Sequence, residues 1–421
     1  MKALWILNSP IGTAAEILGY GAASSGTWIA ATERSLKDSI KDLRIDYAVM
    51  GYQNRTITDE LRSCTVYELN LKRLRGKRME KDAVQKWTDV LDQEKPDLIH
   101  IWGTEFSFPL DVMDVCGNIP VAVSIQGIMA SLAKYCRSDI SFSELIKGQG
   151  ILVLPAYLRA KLEEKKMLRQ VDIEKKIICR ADVIMLEGEL AQAFCNSVTC
   201  DGEYCYLPLA INEIFSERKW EYDRCEKNSI FTIAPSTHMK GTHVLLKALR
   251  IVKKEFPDVK LRIPGSLEKG KLPVITEPPY FRYLRRLVAE LDLFKNVEFC
   301  GKLSSEQMAD YMCRSNLFVM PSRAENLSTT VREALHIGCP CISSLVGVIH
   351  ETAVHNENLM VYRYEEYEVL AYEIIEMLKD PNRAQELSRN GKSMVQRKYP
   401  IGQPLDDCVK WYLKNGGRSN Q

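Results

Sequence analysis

The sequence predicts an α/β protein with two doubly wound, Rossmann-like domains that face each other across a cleft. Short apolar runs alternate with segments of helical period, which is the pattern of βαβ units and a parallel sheet. Runs such as Leu317–Met320 are apolar throughout, as expected for parallel strands covered by helices on both faces. The pattern stops at an irregular polar stretch, 212–228, and then starts again, so a second sheet follows the first.

Several apolar runs are assigned as strands in each sheet. Those of the first sheet are 3–7, 44–50, 98–102, 121–125 and 183–186, and those of the second are 229–233, 259–263, 297–300, 317–320 and 340–343. We therefore expect an N-terminal Rossmann-like domain over residues 1–208 and a second Rossmann-like domain over 209–380. Residues 381–421 contain two helix-like stretches, 383–396 and 405–414, and no further strand. We expect these C-terminal helices to cross back and pack on the first domain.

Length and composition exclude several classes of protein. The 421 residues carry 57 basic and 55 acidic side chains, a net charge of +2, so no strong field exists to attract a nucleic acid. The first apolar run is shorter than the about 7–15 residues of a signal-peptide core. No run approaches the roughly 20 apolar residues that span a bilayer. Thirteen cysteines without a C-x-x-C pair favour a reducing cytoplasm over a disulfide scaffold or a zinc site.

The segment 317–335 has the layout of an anion site, because a buried strand is followed by a polar loop and then by a helix. The free amides of a first helical turn and the positive end of the helix dipole favour a diphosphate, with no metal required. The residues that can cap this helix are Ser328, Thr329 and Thr330.

Two carboxylates flank that helix start. Glu325 lies in the loop and Glu333 a little over one turn into the helix, so one can meet the hydroxyls of a sugar and the other those of a ribose. A structural interpretation of Glu333 stays open, because Thr330-Val-Arg-Glu333 also fits a capping box.

The motifs around this segment resemble those of the retaining family 4 glycosyltransferases, the group 1 branch with the GT-B fold. Glu325 to Glu333 reproduces the family's Glu-x7-Glu pair, and Glu333-Ala-Leu-His-Ile-Gly-Cys-Pro340 reproduces E-A-[LM]-x-x-G-x-P. Val346-Gly-Val-Ile-His-Glu351 resembles the V-G-G-x-x-E turn, and Gly301-Lys-Leu303 resembles G-x-[LV]. The resemblance covers residues 229–380 well and is weaker across the first domain.

The resemblance implies roles for these residues. Glu333 would bind the donor ribose and Glu325 the donor sugar or its phosphates. Lys240 matches the family's K-G-x-x-x-L-L-x-A motif, in which the lysine neutralises the leaving diphosphate. The family commonly has an arginine five residues earlier, where this chain has Pro235, so that cation is missing or is supplied elsewhere, for example by Arg323. The remaining donor-binding residues implied are Asn326, Leu327, Ser328, Thr329 and Thr330.

The first domain carries weaker signals. Gly26 and Thr27 resemble the family's N-terminal glycine loop, which lets backbone approach a phosphate, although plain turn chemistry also explains small residues before a helix. The segment 19–24 lacks the third glycine of a dinucleotide fingerprint and starts well after the strand, which excludes a dehydrogenase. Gln126 stands where many relatives carry a histidine loop, and we expect it to position a sugar hydroxyl. His100 is expected to be a structural histidine.

Two basic stretches remain open to two interpretations. Lys72-Arg-Leu-Arg-Gly-Lys-Arg78 has five cations in seven residues, and 157–180 mixes Lys, Arg and Glu with Leu and Ile at helical spacing. Both are typical of a solvated face, and both are also compatible with an anionic membrane leaflet that holds a lipid-linked acceptor.

The resemblance implies an enzyme that moves a sugar, with retention, from a nucleotide-diphosphate donor to a saccharide in surface polysaccharide or glycolipid synthesis. UDP is favoured over GDP or ADP, and neither a cofactor nor a metal is expected. The expected location is the cytoplasm or the inner membrane surface. The alternatives are a non-catalytic nucleotide-sugar binding protein, which would bind without turnover, and a sugar-nucleotide epimerase, which would convert the donor without an acceptor.

Overall fold

The structure, a computed structural model, describes residues 1–21, 27–79, 81–136, 139–147, 154–198, 202–267 and 279–416. The chain divides into two compact units. The first comprises Met1–Lys134, Glu164–Ala210 and Gly402–Gln421, and the second comprises Tyr135–Glu163 and Ile211–Ile401.

The first unit is built on an eight-stranded sheet with the order β3-β4-β2-β1-β5-β6-β7-β8 in the described residues. Neighbouring strands are parallel except for β3 against β4. The strands are β1 (Lys2–Leu7), β2 (Arg44–Gly51), β3 (Arg55–Asp59), β4 (Cys64–Asn70), β5 (Leu98–Trp102), β6 (Val121–Ser124), β7 (Val183–Leu186) and β8 (Glu203–Tyr206). Apolar clusters cover both faces of this sheet, as the continuous apolar runs predict.

The second unit is built on a six-stranded parallel sheet with the order β11-β10-β9-β12-β13-β14, again counted over the described residues. Its strands are β9 (Ser229–Thr232), β10 (Lys260–Ile263), β11 (Val297–Phe299), β12 (Leu317–Met320), β13 (Cys341–Ser344) and β14 (Met360–Tyr362). The chain adds strands in one direction from β9 and then in the other from β12. This is the strand order of a Rossmann fold, so the predicted fold class is confirmed.

Helices complete the layers. Those of the first unit are Gly12–Ile17, Thr27–Ser39, Lys81–Glu94, Phe108–Val115, Met129–Tyr135, Glu189–Ser197 and Asp406–Asn415. Those of the second are Phe142–Ile146, Ile214–Glu217, Thr242–Glu255, Pro279–Glu290, Ser305–Arg314, Thr329–Ile337, Ile349–Thr352, Tyr367–Lys379 and Pro381–Lys398, with 3₁₀ turns at Tyr222–Arg224 and His238–Lys240. The long helix Leu154–Arg180 is divided between the units at Glu163. No described helix is both long enough and apolar enough to cross a membrane.

The C-terminal helices differ from the prediction. Helix Pro381–Lys398 belongs to the second unit, where Ser388 Oγ donates a hydrogen bond to the carbonyl oxygen of Gly338. A Cβ at Gly391 would overlap the side chain of Leu335, so the two helices pack at very short range. Helix Asp406–Asn415 lies in the first unit, so of the segment 381–421 only the part from Gly402 onward belongs there.

That last helix is anchored to the first sheet through Tyr412. The Tyr412 hydroxyl accepts a hydrogen bond from Trp5 Nε1 at 2.9 Å and lies 2.7 Å from His100 Nδ1. His100 Nε2 lies 2.7 Å from Ser124 Oγ, and the imidazole is fully buried. Because both ring nitrogens have partners, His100 is the structural histidine that the sequence predicts.

Candidate functional site

The site lies where the second sheet changes direction. Strands β9 and β12 are neighbours, and the segments that leave their carboxyl ends are 233–241 and 321–328. Open α/β sheets bind ligands at this topological switch point. The first segment carries Lys240 and the second carries Glu325, so two residues predicted from separate motifs belong to the same edge of the sheet.

Lys240 and Glu325 form an ion pair. Lys240 Nζ lies 2.6 Å from Glu325 Oε1, and both side chains are partly exposed. Ser322 Oγ donates a second hydrogen bond to the same oxygen at 2.6 Å. The carboxylate is therefore oriented from two sides while the ammonium stays accessible, which suits a cation that is to meet an anionic ligand.

Backbone contacts fix the two segments against each other. Arg323 N donates to Met239 O at 2.7 Å. Gly241 follows Lys240 with φ of 67°, and a Cβ there would overlap the carbonyl oxygen of Pro321. The glycine of the K-G motif is thus required both for its left-handed backbone and for the close approach of Pro321.

The start of helix Thr329–Ile337 is open to a ligand. Ser328 is its N-cap residue in the left-handed conformation (φ 49°, ψ 44°), and its side chain makes no capping hydrogen bond. Among the described residues, the backbone amides of 327–330 donate no hydrogen bond to another protein group. Four amide donors next to a positive helix end form a cradle for an anion.

Glu333 lies on this helix, and its side chain has no partner among the residues that the structure describes. In the described part of the chain its partly buried carboxylate makes no hydrogen bond and no ion pair, and burial raises its pKa to about 7. The capping-box interpretation is wrong, because Ser328 and not Thr330 occupies the N-cap position. A carboxylate that is withdrawn from water and left without a donor is expected to take its hydrogen bonds from a ligand.

The glycine turn after β13 packs on the loop 321–328, which follows β12. Val348 N donates to Asn326 O at 3.0 Å, and a Cβ at Gly347 would overlap the same carbonyl oxygen. Gly347 has φ of 53°. The Val346–Glu351 motif therefore supports the loop that carries Glu325.

Arg323 lies against aromatic rings. Its guanidinium is 5.5 Å from the ring centre of Tyr135 and 5.7 Å from that of Tyr364. Its charge also contributes to lowering the pKa of Asp139. Arg323, which could supply the cation that the family has at the position of Pro235, is thus held in a cation–π arrangement.

In the first unit, two glutamates that the sequence analysis missed hold the loop that follows β6. Glu174 is fully buried and accepts hydrogen bonds from Met129 N at 3.0 Å and from Thr104 Oγ1 at 2.7 Å. Burial raises its pKa to about 7 despite these donors. Glu105 Oε1 would lie 3.1 Å from a Cβ at Gly127, next to half-buried Gln126. No local motif marks either glutamate, because each reaches the loop from a distant segment.

Two further predictions for the first unit concern the glycine loop and the basic run 72–78. Gly26 lies outside the described residues, and so does the side chain of Thr27, at which a helix begins. In the basic run, Arg78 pairs with Asp111 and Asp114, and Arg75 Nε donates to Glu105 O. Among the described residues, the exposed cations of this run are Lys72, Arg73, Lys77 and Arg78, and Lys72, Arg73 and Lys77 lie outside the contacts just named.

Comparison with known proteins finds a family match within the second unit. The family described as "Glycosyl transferases group 1" matches residues 216–394, somewhat less than half of this chain. The matched range contains Lys240, Glu325 and Glu333, and it excludes Gln126.

Curated relatives of this glycosyltransferase family are distant. A GDP-mannose-dependent alpha-(1-6)-phosphatidylinositol monomannoside mannosyltransferase of Mycobacterium tuberculosis is 24% identical over 187 residues, 43% of this chain and 46% of that protein. A monoacylated-substrate counterpart from Corynebacterium glutamicum is 30% identical over 167 residues, 38% of this chain and 40% of that protein. The chain therefore matches less than half the length of these relatives.

Solved structures match over nearly the whole chain. Sucrose-phosphate synthase of Thermosynechococcus elongatus has a TM-score of 0.74 at 17% identity and covers 98% of this chain and 99% of its own. HepE of Anabaena in complex with UDP-glucose has a TM-score of 0.66 at 13% identity, with 98% and 99% covered. At these identities the likeness shows the two-domain GT-B fold.

Proposed function

We propose that the chain is a retaining glycosyltransferase that moves a sugar from a nucleotide-diphosphate sugar to a saccharide or lipid-linked saccharide. The observation that carries this proposal is Glu333, a partly buried carboxylate on the helix whose first amides, like the carboxylate itself, have no partner among the described residues. The family match over residues 216–394 supports the same reading. In this proposal the second unit binds the donor and the first unit binds the acceptor.

The diphosphate would lie on the cradle at residues 327–330. Four backbone donors and the helix dipole suit its charge, and Lys240 supplies a full positive charge at the same sheet edge. Lys240 is paired with Glu325, so the diphosphate would compete with that carboxylate for the ammonium. Glu325 would then be free to accept hydrogen bonds from the donor sugar.

Glu333 would accept hydrogen bonds from the two ribose hydroxyls. Hydroxyl donors stabilise an ionised carboxylate, which offsets the effect of burial on Glu333. We propose UDP as the nucleotide. Solved relatives support UDP, since HepE is described in complex with UDP-glucose, whereas two curated relatives are named as GDP-mannose-dependent. Both bases therefore belong in the test.

The reaction would proceed on one face of the sugar. The bond between the anomeric carbon and the phosphate oxygen breaks, and the acceptor hydroxyl oxygen bonds to the same face of that carbon. The acceptor proton passes to the departing phosphate oxygen, so no protein base is required. Lys240 and the cradle amides stabilise the charge that develops on the diphosphate, and Gln126 orients a sugar hydroxyl.

Ligand binding and product analysis test this function. A thermal-shift panel of UDP-glucose, UDP-N-acetylglucosamine and GDP-mannose should raise the unfolding temperature for at least one donor, since a ligand of the folded state stabilises it. The donor incubated alone should stay unconverted, whereas an epimerase would isomerise it. Glu333→Ala should weaken donor binding and turnover while leaving the fold intact; wild-type turnover in this variant would refute the assigned role.

The side chains on one face of a helix support the proposal that the acceptor is lipid-linked. On helix Leu154–Arg180, three exposed leucines recur every fourth residue: Leu154, Leu158 and Leu162. Exposed Lys165 and Arg169 continue the same face by helical spacing. Exposed leucines followed by cations along one helix face suit the interface of an anionic membrane. We therefore propose peripheral membrane contact through this helix.

A further inference from the structure

Asp139 joins two side chains of the donor unit. It lies in the segment Tyr135–Glu163, which follows β6 in the chain but belongs to the second unit. Its Oδ2 accepts a hydrogen bond from the Tyr364 hydroxyl at 2.9 Å and lies 3.2 Å from His243 Nε2. Because an ionised carboxylate only accepts, the imidazole donates through Nε2. Its other nitrogen, Nδ1, lies 3.0 Å from the Tyr280 hydroxyl.

Both partners of Asp139 lie next to the turn that carries Lys240. His243 lies three residues after Lys240, in the first turn of helix Thr242–Glu255, and is 2% exposed. The ring of Tyr364 packs against Gly241, where a Cβ would be 3.1 Å from Tyr364 Cε2. The hydrogen bonds that hold His243 and Tyr364 in place therefore also restrain the turn that carries Lys240.

The surroundings of Asp139 keep it ionised. Burial raises its pKa, but the hydrogen bonds and charge of His243, the Tyr364 hydroxyl and the Arg323 guanidinium outweigh burial and lower it to about 2. Other titratable groups of this cluster are His238, Tyr280 and Tyr283. Asp139 is a fixed negative charge over the neutral range.

We propose that Asp139 is a positioning residue that acts through His243 and Tyr364 to hold Lys240 in the geometry that meets the donor diphosphate. This inference rests on the proposed function and deepens it, since it adds a residue from outside the family-matched range. Asp139 itself touches neither donor nor acceptor in this proposal.

A purely structural tether is the competing explanation, and the same segment supplies the control. Glu144 Oε2 pairs with Arg286 Nη2 at 3.3 Å, and the backbone oxygens of Glu144 and Lys147 also accept from Arg286. These contacts attach the segment to the second unit independently of Asp139. Glu144→Gln therefore removes an ion pair from the same segment without touching the Lys240 turn.

The deciding experiment is a double-mutant cycle of Asp139→Asn and Lys240→Ala, read as kcat and donor KM. Asp139→Asn alone should lower kcat about tenfold, with donor KM changed less than about threefold, because misplacement of a leaving-group cation acts on the transition state. In the Lys240→Ala background the same substitution should change kcat less than about twofold. Glu144→Gln should keep kcat within about twofold of the wild type.

Each outcome separates the inference from the proposed function. If the wild type is active and the fold-losses in kcat of Asp139→Asn and Lys240→Ala multiply in the double variant, the two residues act independently. That result overturns the inference and leaves the proposed function intact. A wild type that neither turns over nor is stabilised by UDP or GDP overturns both. If Asp139→Asn unfolds, Tyr364→Phe replaces it in the cycle, because it removes one hydrogen bond to Asp139 and keeps the ring; an unchanged kcat in Tyr364→Phe then counts against the inference.

Discussion

Lys240 Nζ lies 2.6 Å from Glu325 Oε1, so two residues 85 positions apart in the sequence form one ion pair at the switch point of the second sheet. The pair is partly exposed, which makes it weak enough to open. In the proposed function the pair opens when the donor diphosphate binds, and the Lys240 ammonium then pairs with the diphosphate.

Replacing the lysine tests that exchange. Lys240→Ala should lower kcat about 100-fold, because the charge on the leaving diphosphate loses its cationic partner. The measurement is initial rates at saturating donor. Lys247→Ala is the matched control, since Lys247 lies on the adjoining helix and rests over the Tyr367 ring at 5.7 Å. Equal losses in the two variants would remove the special role of Lys240.

Glu333 should couple stability to pH. Burial raises its folded pKa to about 7, above the ordinary value of 4.5, so its ionisation destabilises the folded protein progressively as pH rises from 4.5 through 7. Glu333→Gln should therefore raise the stability of the protein at pH 8 by up to about 3 kcal/mol and have little effect at pH 4.5. Thermal unfolding at both values measures this. Glu386→Gln, at an exposed position of helix Pro381–Lys398, should be neutral at either pH.

Gly241 should tolerate no side chain. Gly241→Ala adds a Cβ that overlaps the carbonyl oxygen of Pro321, in a left-handed backbone, and should destabilise the second unit by about 3 kcal/mol. Gly301→Ala is the control, because Gly301 has φ of 73° but no atom of a described, non-adjacent residue lies within 4 Å of its Cβ position. It should cost about 1 kcal/mol, from backbone conformation alone. Equal losses in urea unfolding would mean that the Pro321 contact contributes nothing.

His100 should add to the acid sensitivity of the first unit. Burial lowers its pKa from 6.5 to about 3, so between these values the unfolded chain binds a proton that the folded chain does not. Stability is thereby lost as pH falls below 6.5, at up to about 1.4 kcal/mol per pH unit. His100→Gln should flatten the fall of the unfolding temperature between pH 6.5 and 4.5. The exposed His350→Gln should leave that slope unchanged, and an unchanged slope in His100→Gln would contradict the prediction.

The leucine face should bind anionic lipid. Leu158→Ser combined with Leu162→Ser should reduce binding to phosphatidylglycerol-containing vesicles at least about fivefold, because two exposed apolar side chains are lost. Leu61→Ser is the control, since Leu61 is fully exposed at another place in the chain. Neutralising Lys72, Arg73 and Lys77 tests the other basic stretch without breaking the Arg75 and Arg78 contacts. Wild-type sedimentation with vesicles that is no greater than without them would rule out the membrane proposal.

Some strands were predictable and others were not. The continuous apolar runs of β1, β5, β7 and β12 stand out in the sequence because helices cover both faces of these strands. The strands β3, β4, β8 and β14 were missed. Strand β3, Arg55-Thr-Ile-Thr-Asp59, is a mostly polar edge strand, and β14 has three residues. Short or polar edge strands leave little hydrophobic signal because their partners, not their own composition, specify them.

The sequence by itself determined the donor loop, because Glu325, the helix start at Ser328 and Glu333 lie within one strand–loop–helix unit whose geometry is local. Only the tertiary structure decided that Asp139 supports the Lys240 turn, that Glu105 and Glu174 hold the Gln126 loop, and that helix Pro381–Lys398 stays with the second unit. Asp139 meets His243 across 104 residues of sequence. Such contacts form when distant segments pack together, and no spacing within either segment records them.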